Sequence, residues 1–242
     1  MVRIHPGSQK LFTQNQKPMK KLLIISIALF SLYCFAVNKQ VRDGFIEEFN
    51  NIERKLNEPK QNEYSQETME YFNEIARQSE YGSKNTSITK WNKDVKIFVS
   101  GDKKPYIMDE LNKIVTELND LINPINIQIV NNESESNLKV FLGSHTEFSK
   151  ICPKSKKYLN DNWGLFFTYG CEYITSAIVF VDTKRCDTKS GCKHLLREEL
   201  TQSLGLSNDS YRFPESIFYQ NWTETNEYAK IDKDLIQILY NN

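Results

Sequence analysis

The sequence predicts one α+β domain over residues 66–242, with a mixed sheet, a polar-faced helix at about 190–205 and a C-terminal helix. Three observations predict it: helical and strand periodicities alternate along the chain; no internal repeat interrupts them; and the 242-residue length suits one well-cored domain plus flanking segments.

In "SQETMEYFNEIARQSEYG" a Ser65 or Thr68 cap starts a helix that stops near Gly82. "DVKIFVSG" alternates as a strand, with Val95, Ile97 and Val99 on one side. "PYIMDELNKIVTELNDLIN" repeats apolar residues at helical spacing from Ile107 to Leu121. "INIQIV" and "NLKVFLG" read as further strands, "WGLFFTYG" as an aromatic loop, and "YITSAIVFVDT" as a longer strand. "IDKDLIQILY" closes the domain after an irregular stretch.

The N-terminal third reads differently. Residues 1–18 read as an upstream extension, and residues 19–36 as a signal peptide or membrane anchor. Met19, Lys20 and Lys21 precede an uncharged apolar run from Leu22 to Val37, short for a membrane span. Cleavage after Ala36, retention as an anchor and lipidation at Cys34 all export the domain. Residues 37–65 form a polar linker. The expected localisation is therefore periplasmic, secreted or membrane-anchored, with membrane contact only through the N-terminal segment.

Lys plus Arg and Asp plus Glu both number 31, so the net charge is zero and a nucleic-acid partner is not expected. Setting Cys34 aside leaves Cys152, Cys171, Cys186 and Cys192, an even number suited to two disulfides. Local loop closure favours Cys152–Cys171 and Cys186–Cys192. A four-cysteine zinc site lacks any C-x-x-C pair.

In "HLLREELTQSLGLSND", Leu196, Leu200 and Leu204 form one helical stripe and should face the core. His194, Glu198, Gln202 and Gly205 form the opposite stripe, with Arg197 and Thr201 beside it. That face lacks lysine and reads as a cleft wall rather than a solvated surface. The candidate cleft residues are Glu198, Gln202, Asn208, Asp209 and Arg197, with Glu199 as the candidate catalytic group. Arg197 reads equally as a counter-charge to a neighbouring acid, His194 as a surface histidine and His145 as a loop histidine.

The spacing E-E-x-x-Q-x-x-G-x-x-N resembles the metzincin zinc helix with all three histidines exchanged. Glu198, Gln202 and Asn208 stand at the ligand positions, Glu199 at the general base and Gly205 at the turn glycine. Ser216-Ile217-Phe218 resembles the turn that carries methionine below the metal, with Phe218 in the methionine position. "AIVFVDT" stands where the cleft-edge strand does, and "AKIDKDLIQILY" resembles the C-terminal helix. The run R-E-E-L-T-Q-x-L-G-L-x-N-D followed by S-I-F resembles a bacterial exported family known as a domain of unknown function. That resemblance implies export and a zincin-like fold, without an assigned activity.

One carboxylate and two amides make a poor zinc site, because zinc favours imidazole and thiolate donors. Ca²⁺ or Mg²⁺ suits oxygen donors but wants more of them. No cofactor and no metal are therefore expected, and Glu199 lacks the activated water of a zinc peptidase. Three functions stay open: a metal-free cleft binding a peptide, protein or envelope glycan; a hydrolase using Glu199 with an atypical metal or none; and a structural envelope protein.

Overall fold

A computed structural model describes residues 43–44, 46–50, 64–77 and 87–241. The expected signal or anchor at 19–36 lies outside them. Residues 43–44 and 46–50 are helical, within the stretch read as a linker. Among the described residues no helix is long and apolar enough to cross a membrane. Residues 64–242 form one compact unit.

The elements of this unit are α1 (Gln66–Arg77), β1 (Val95–Gly101), α2 (Pro105–Leu121), β2 (Ile127–Ile129), β3 (Leu138–Gly143), α3 (His145–Ile151), β4 (Gly164–Gly170), β5 (Ile174–Asp182), α4 (Lys189–Gln202) and α5 (Lys230–Asn241), with short 3₁₀ turns at Glu133–Glu135 and Pro153–Lys157. The five strands lie in the order β2-β1-β3-β5-β4. All neighbours are parallel except β4, which pairs antiparallel with β5. The α+β expectation and the mixed sheet are both realised.

Two features of the sheet depart from the sequence reading. "WGLFFTYG" is the edge strand β4 rather than a loop; its aromatic and threonine residues favour a pleated, half-buried surface. "AIVFVDT" lies in β5, flanked by β3 and β4, so it is an interior strand and not the cleft edge.

The period of two along each strand sends side chains into two cores. Val95, Ile97, Val99, Val140, Val179 and Val181 join the larger core with α1, α2, α4 and α5. Phe141, Phe180 and Leu165 face the opposite side and pack with Phe148 and Cys152 beneath α3. Phe148 and Phe180 stack with ring centroids 4.4 Å apart. His145 is the first residue of α3, not a loop histidine; its backbone N–H and Nδ1 both meet the buried Asp182 carboxylate at 3.1 Å. Ser144 caps that helix with a reciprocal Glu147 contact.

Helix α4 is capped by Thr188, whose hydroxyl accepts from the Gly191 N–H. It packs on β4, β5 and α2. Leu196, Leu200 and Leu204 are fully buried, as their stripe predicts. Beyond its end, the Trp91 indole donates to the Ser203 carbonyl at 3.0 Å and the Tyr240 hydroxyl to the Leu204 carbonyl at 2.8 Å. These bonds satisfy carbonyls that the helix leaves without partners. Gly205 then turns the chain at φ +121°, where a Cβ would stand 2.3 Å from the Thr89 carbonyl oxygen.

Candidate functional site

The polar stripe of α4 faces a cleft of about 450 Å³. His194, Glu198, Glu199 and Gln202 supply one wall. Trp163 and Gly164 at the start of β4 supply another, and Tyr219 to Trp222 close the side. A second hollow of about 210 Å³ continues along β4, past Phe166, Thr168 and Gly170, to Cys171. Both hollows are lined by residues of β4, and Gln202 belongs to the lining of each.

The chemistry is acidic and aromatic. Asp161, Asp187, Glu198, Glu199 and Asp209 line the larger hollow, and among the described residues no lysine or arginine does. Trp163 and Trp222 meet edge to face at 5.6 Å, with Trp222 53% exposed. Glu199 lies close under the edge strand: a Cβ on Gly164 would stand 2.3 Å from its Oε1. A glycine at 164 is what allows that approach.

His194 is buried, 3% exposed, and not a surface residue. Its Nδ1 lies 2.8 Å from the Thr225 carbonyl, which can only accept, so Nδ1 carries the proton. Nε2 therefore presents its lone pair towards Thr223 Oγ1 at 3.4 Å and Glu198 Oε2 at 3.5 Å. Burial lowers the pKa of His194 below its ordinary value, against the raising effect of the Thr225 carbonyl and the Glu224 charge.

The candidates read from the sequence divide. Glu198, Glu199, Gln202 and Asp209 converge on the cleft. Gln202 Nε2 donates to Asp209 Oδ1 at 2.6 Å, holding the post-helix loop against the helix. Asn208, at the third ligand position, is not among the lining residues; its Nδ2 donates to the Asp209 carbonyl, and the next residue occupies the wall instead.

Arg197 leaves the cleft altogether. It is fully buried on the opposite flank of α4, bonded to Glu110 and Glu117 of α2, with its guanidinium 4.5 Å above the Tyr228 ring. Alternating charge with α2, rather than with Glu198, explains it.

Phe218 is fully buried in the main core and does not line the cleft. Its turn is fixed by Ser216, whose hydroxyl accepts from the Phe218 N–H at 3.0 Å and donates to the buried Asp232 at 2.6 Å.

Cys186 and Cys192 are joined by a disulfide that ties the approach of α4 to its first turn. Cys152 and Cys171, expected to pair, are both free: Cys152 is buried under α3 and Cys171 is exposed at the tip of the β4–β5 hairpin. Loop length alone favours that pair, but Cys152 packs with Leu165 near the start of β4, whereas Cys171 follows the strand's end.

Among the described residues no group of three or more His, Cys, Asp or Glu is placed to hold a metal ion. The sequence reading missed Asp161, Trp163, Asp187 and Trp222, all in irregular segments. The only signal was tryptophan in otherwise polar stretches, "NDNWG" and "YQNWT".

Comparison with known proteins adds three findings. A family model described as "Protein of unknown function (DUF2927)" matches residues 65–242. No curated protein matches the chain. Among solved structures, "Structure of Myroilysin" is similar at 11% identity and a TM-score of 0.40, covering 63% of this chain and 82% of that one. "Crystal structure of myroilysin" is similar at 10% identity and 0.40, covering 64% and 86%.

Proposed function

The chain belongs to the family of proteins of unknown function DUF2927, and on that premise we propose that it is an exported, non-catalytic binding domain whose ligand is an extended peptide laid along β4. The single observation that carries this reading is the pair of hollows that share Gln202 beside β4, a strand that among the described residues pairs on one side only, with β5. An edge strand offers backbone N–H and C=O groups to a ligand strand, and hollows beside it select side chains. In this reading the frame is zincin-like and the histidines of a zinc peptidase are exchanged for Glu198, Gln202 and Asn208. Export through residues 19–36 belongs to the same proposal, and places the domain in the cell envelope or outside it.

The test is selection from a display library of random linear hexapeptides on the purified chain. Selected peptides should lose at least about tenfold in affinity with Gln202→Ala and with Trp222→Ala, and little with Asn208→Ala. Failure to enrich any peptide, or indifference to both Gln202→Ala and Trp222→Ala, refutes peptide binding along β4.

A hydrolase using Glu199 with a non-zinc metal or none is the second reading. The observation favouring it is the placement of Glu199 in the cleft wall against Gly164. It requires turnover of a selected peptide that Glu199→Gln abolishes while leaving binding intact.

A further inference from the structure

We propose that the lysine-rich segment closing α3, together with aromatic rings of β4, is a docking surface for an anionic phospholipid bilayer. Residues 150–157 read K-I-C-P-K-S-K-K, and no Asp or Glu stands between Glu147 and Asp161. Burial sorts the segment into two sets. Phe148, Cys152, Ser155 and Leu159 are buried, whereas Lys150, Ile151, Lys154, Lys156 and Lys157 are exposed. Phe148, Cys152 and Leu159 fix the segment to the smaller core, on the sheet face opposite α4. The surface is therefore preformed.

Aromatic rings join its cations into one patch. The Lys154 ammonium lies 4.2 Å from the ring centroids of both Phe167 and Tyr169. Phe167 meets Tyr158 at 6.2 Å, and the Lys157 ammonium lies 4.5 Å from the Tyr158 ring centroid. The positive charge is not neutralised from within: among the described residues Lys154, Lys156 and Lys157 make no ion pair. Of the two flanking acids, Glu147 is engaged by the Ser144 cap and Asp161 lines the cleft.

Three features favour a bilayer over other anions. Every cation of the segment is lysine, which suits mobile headgroups, whereas arginine forks grip the fixed phosphates and carboxylates of a nucleic acid or peptide. Ile151 is 56% and Tyr169 43% exposed, an aliphatic side chain and a phenol that the interfacial region of a bilayer accepts. Lysine stems lie along rings while the ammonium groups reach water, the habit of interfacial lysines. Docking through this face turns the acidic cleft beside α4 away from the like-charged bilayer. The contact belongs to the folded unit, adds to any made by residues 19–36, and does not require that a peptide bind along β4.

The experiment is amine footprinting of the full chain. Acetylation of individual lysines is followed by mass spectrometry with vesicles of phosphatidylcholine, alone or with about 30% phosphatidylglycerol. This local readout separates the patch from the N-terminal segment. On anionic vesicles Lys154, Lys156 and Lys157 should react at least about threefold more slowly, and ~0.5 M NaCl should abolish the difference. Lys230, 87% exposed on α5, should react at one rate throughout. Each lysine near an anionic surface is worth roughly fivefold in affinity, so Lys156→Glu with Lys157→Glu should return Lys154 to its unprotected rate. No protection, equal protection by neutral vesicles, or equal slowing of Lys230 overturns the proposal. So does protection of Lys154 that survives the double reversal. Equal protection by soluble poly-glutamate at the same charge concentration also overturns it, and would make an acidic chain the partner.

Discussion

Arg197 and Glu110 form a buried ion pair that joins α4 to α2, with Nη2 and Nε of the guanidinium 2.6 and 3.2 Å from the same carboxylate oxygen. Glu117, two turns further along α2, takes Nη1, and Lys193 reaches the other Glu110 oxygen at 3.6 Å. Arg197→Met strands the Glu110 charge in a desolvated site and should destabilise the domain by about 3–5 kcal/mol. Adding Glu110→Leu should restore much of that loss. Urea unfolding of the single and double variants checks this, and equal losses in both would show that the pair's partners are misassigned.

Gly205→Ala should cost roughly 3 kcal/mol or more, because the φ of +121° and the Thr89 carbonyl both oppose a side chain there. Gly164→Ala presses on the mobile end of a side chain, Glu199, and not on backbone. It should move the carboxylate within the cleft at a smaller cost. Thermal melts separate the two, and a Gly205→Ala protein of wild-type stability would contradict the turn.

Asp232 gives the domain a distinctive pH response. Burial raises its pKa to about 6, although Ser216 and the Ala229 and Ile217 N–H groups favour the charged form. In the unfolded chain the carboxyl titrates near 3.8. Between those values the folded state holds more protons, so its contribution to stability is full below about pH 4 and declines as the pH rises to about 6. The decline should be on the order of 2 kcal/mol, and Asp232→Asn should remove it. Denaturation midpoints at pH 4.5 and 6.5 in both proteins test this; parallel profiles would refute it.

Thiol chemistry distinguishes the four cysteines of the compact unit. A maleimide should label Cys171 in the native protein, Cys152 only after denaturation, and Cys186 and Cys192 only after reduction. Peptide mapping reads the order directly. Protection of Cys171 in the native, non-reduced protein would point to the Cys152–Cys171 bond that loop length alone suggests.

The purified chain should show no proteolysis that o-phenanthroline abolishes. Glu198 and Gln202 supply oxygen or amide donors in place of imidazoles, and Asn208 does not reach the cleft wall. Chelator-sensitive cleavage of a peptide would mean that a competent metal site forms from other residues.

Periodicity made the frame legible. The Leu196–Leu200–Leu204 stripe and the opposed Glu198 and Gln202 follow from 3.6 residues per turn, and the structure keeps them on their expected sides. Arg197 was legible as a counter-charge to an acid, but periodicity could not say that the acids are Glu110 and Glu117 of α2 and not a neighbour on its own helix. Past Gly205 no period operates, so spacing chose Asn208 where the chain presents Asp209. Trp163 and Trp222 come together only through tertiary packing, 59 positions apart in numbering (222 minus 163). β4 was missed because glycines bound it and aromatics fill it, a composition shared by edge strands and loops.

The position of Lys154 has a bearing on solubility. Its ammonium lies 4.2 Å from the ring centroids of both Phe167 and Tyr169, two residues of the edge strand. An edge strand with aromatic side chains is a template for stacking copies of the same chain, and lysine is the usual guard against it. A cation over those rings forces any second copy to bury charge against charge. Lys154→Ala should leave the melting temperature nearly unchanged and raise light scattering as the protein is concentrated; clear solutions at every concentration would mean that the rings were harmless uncovered.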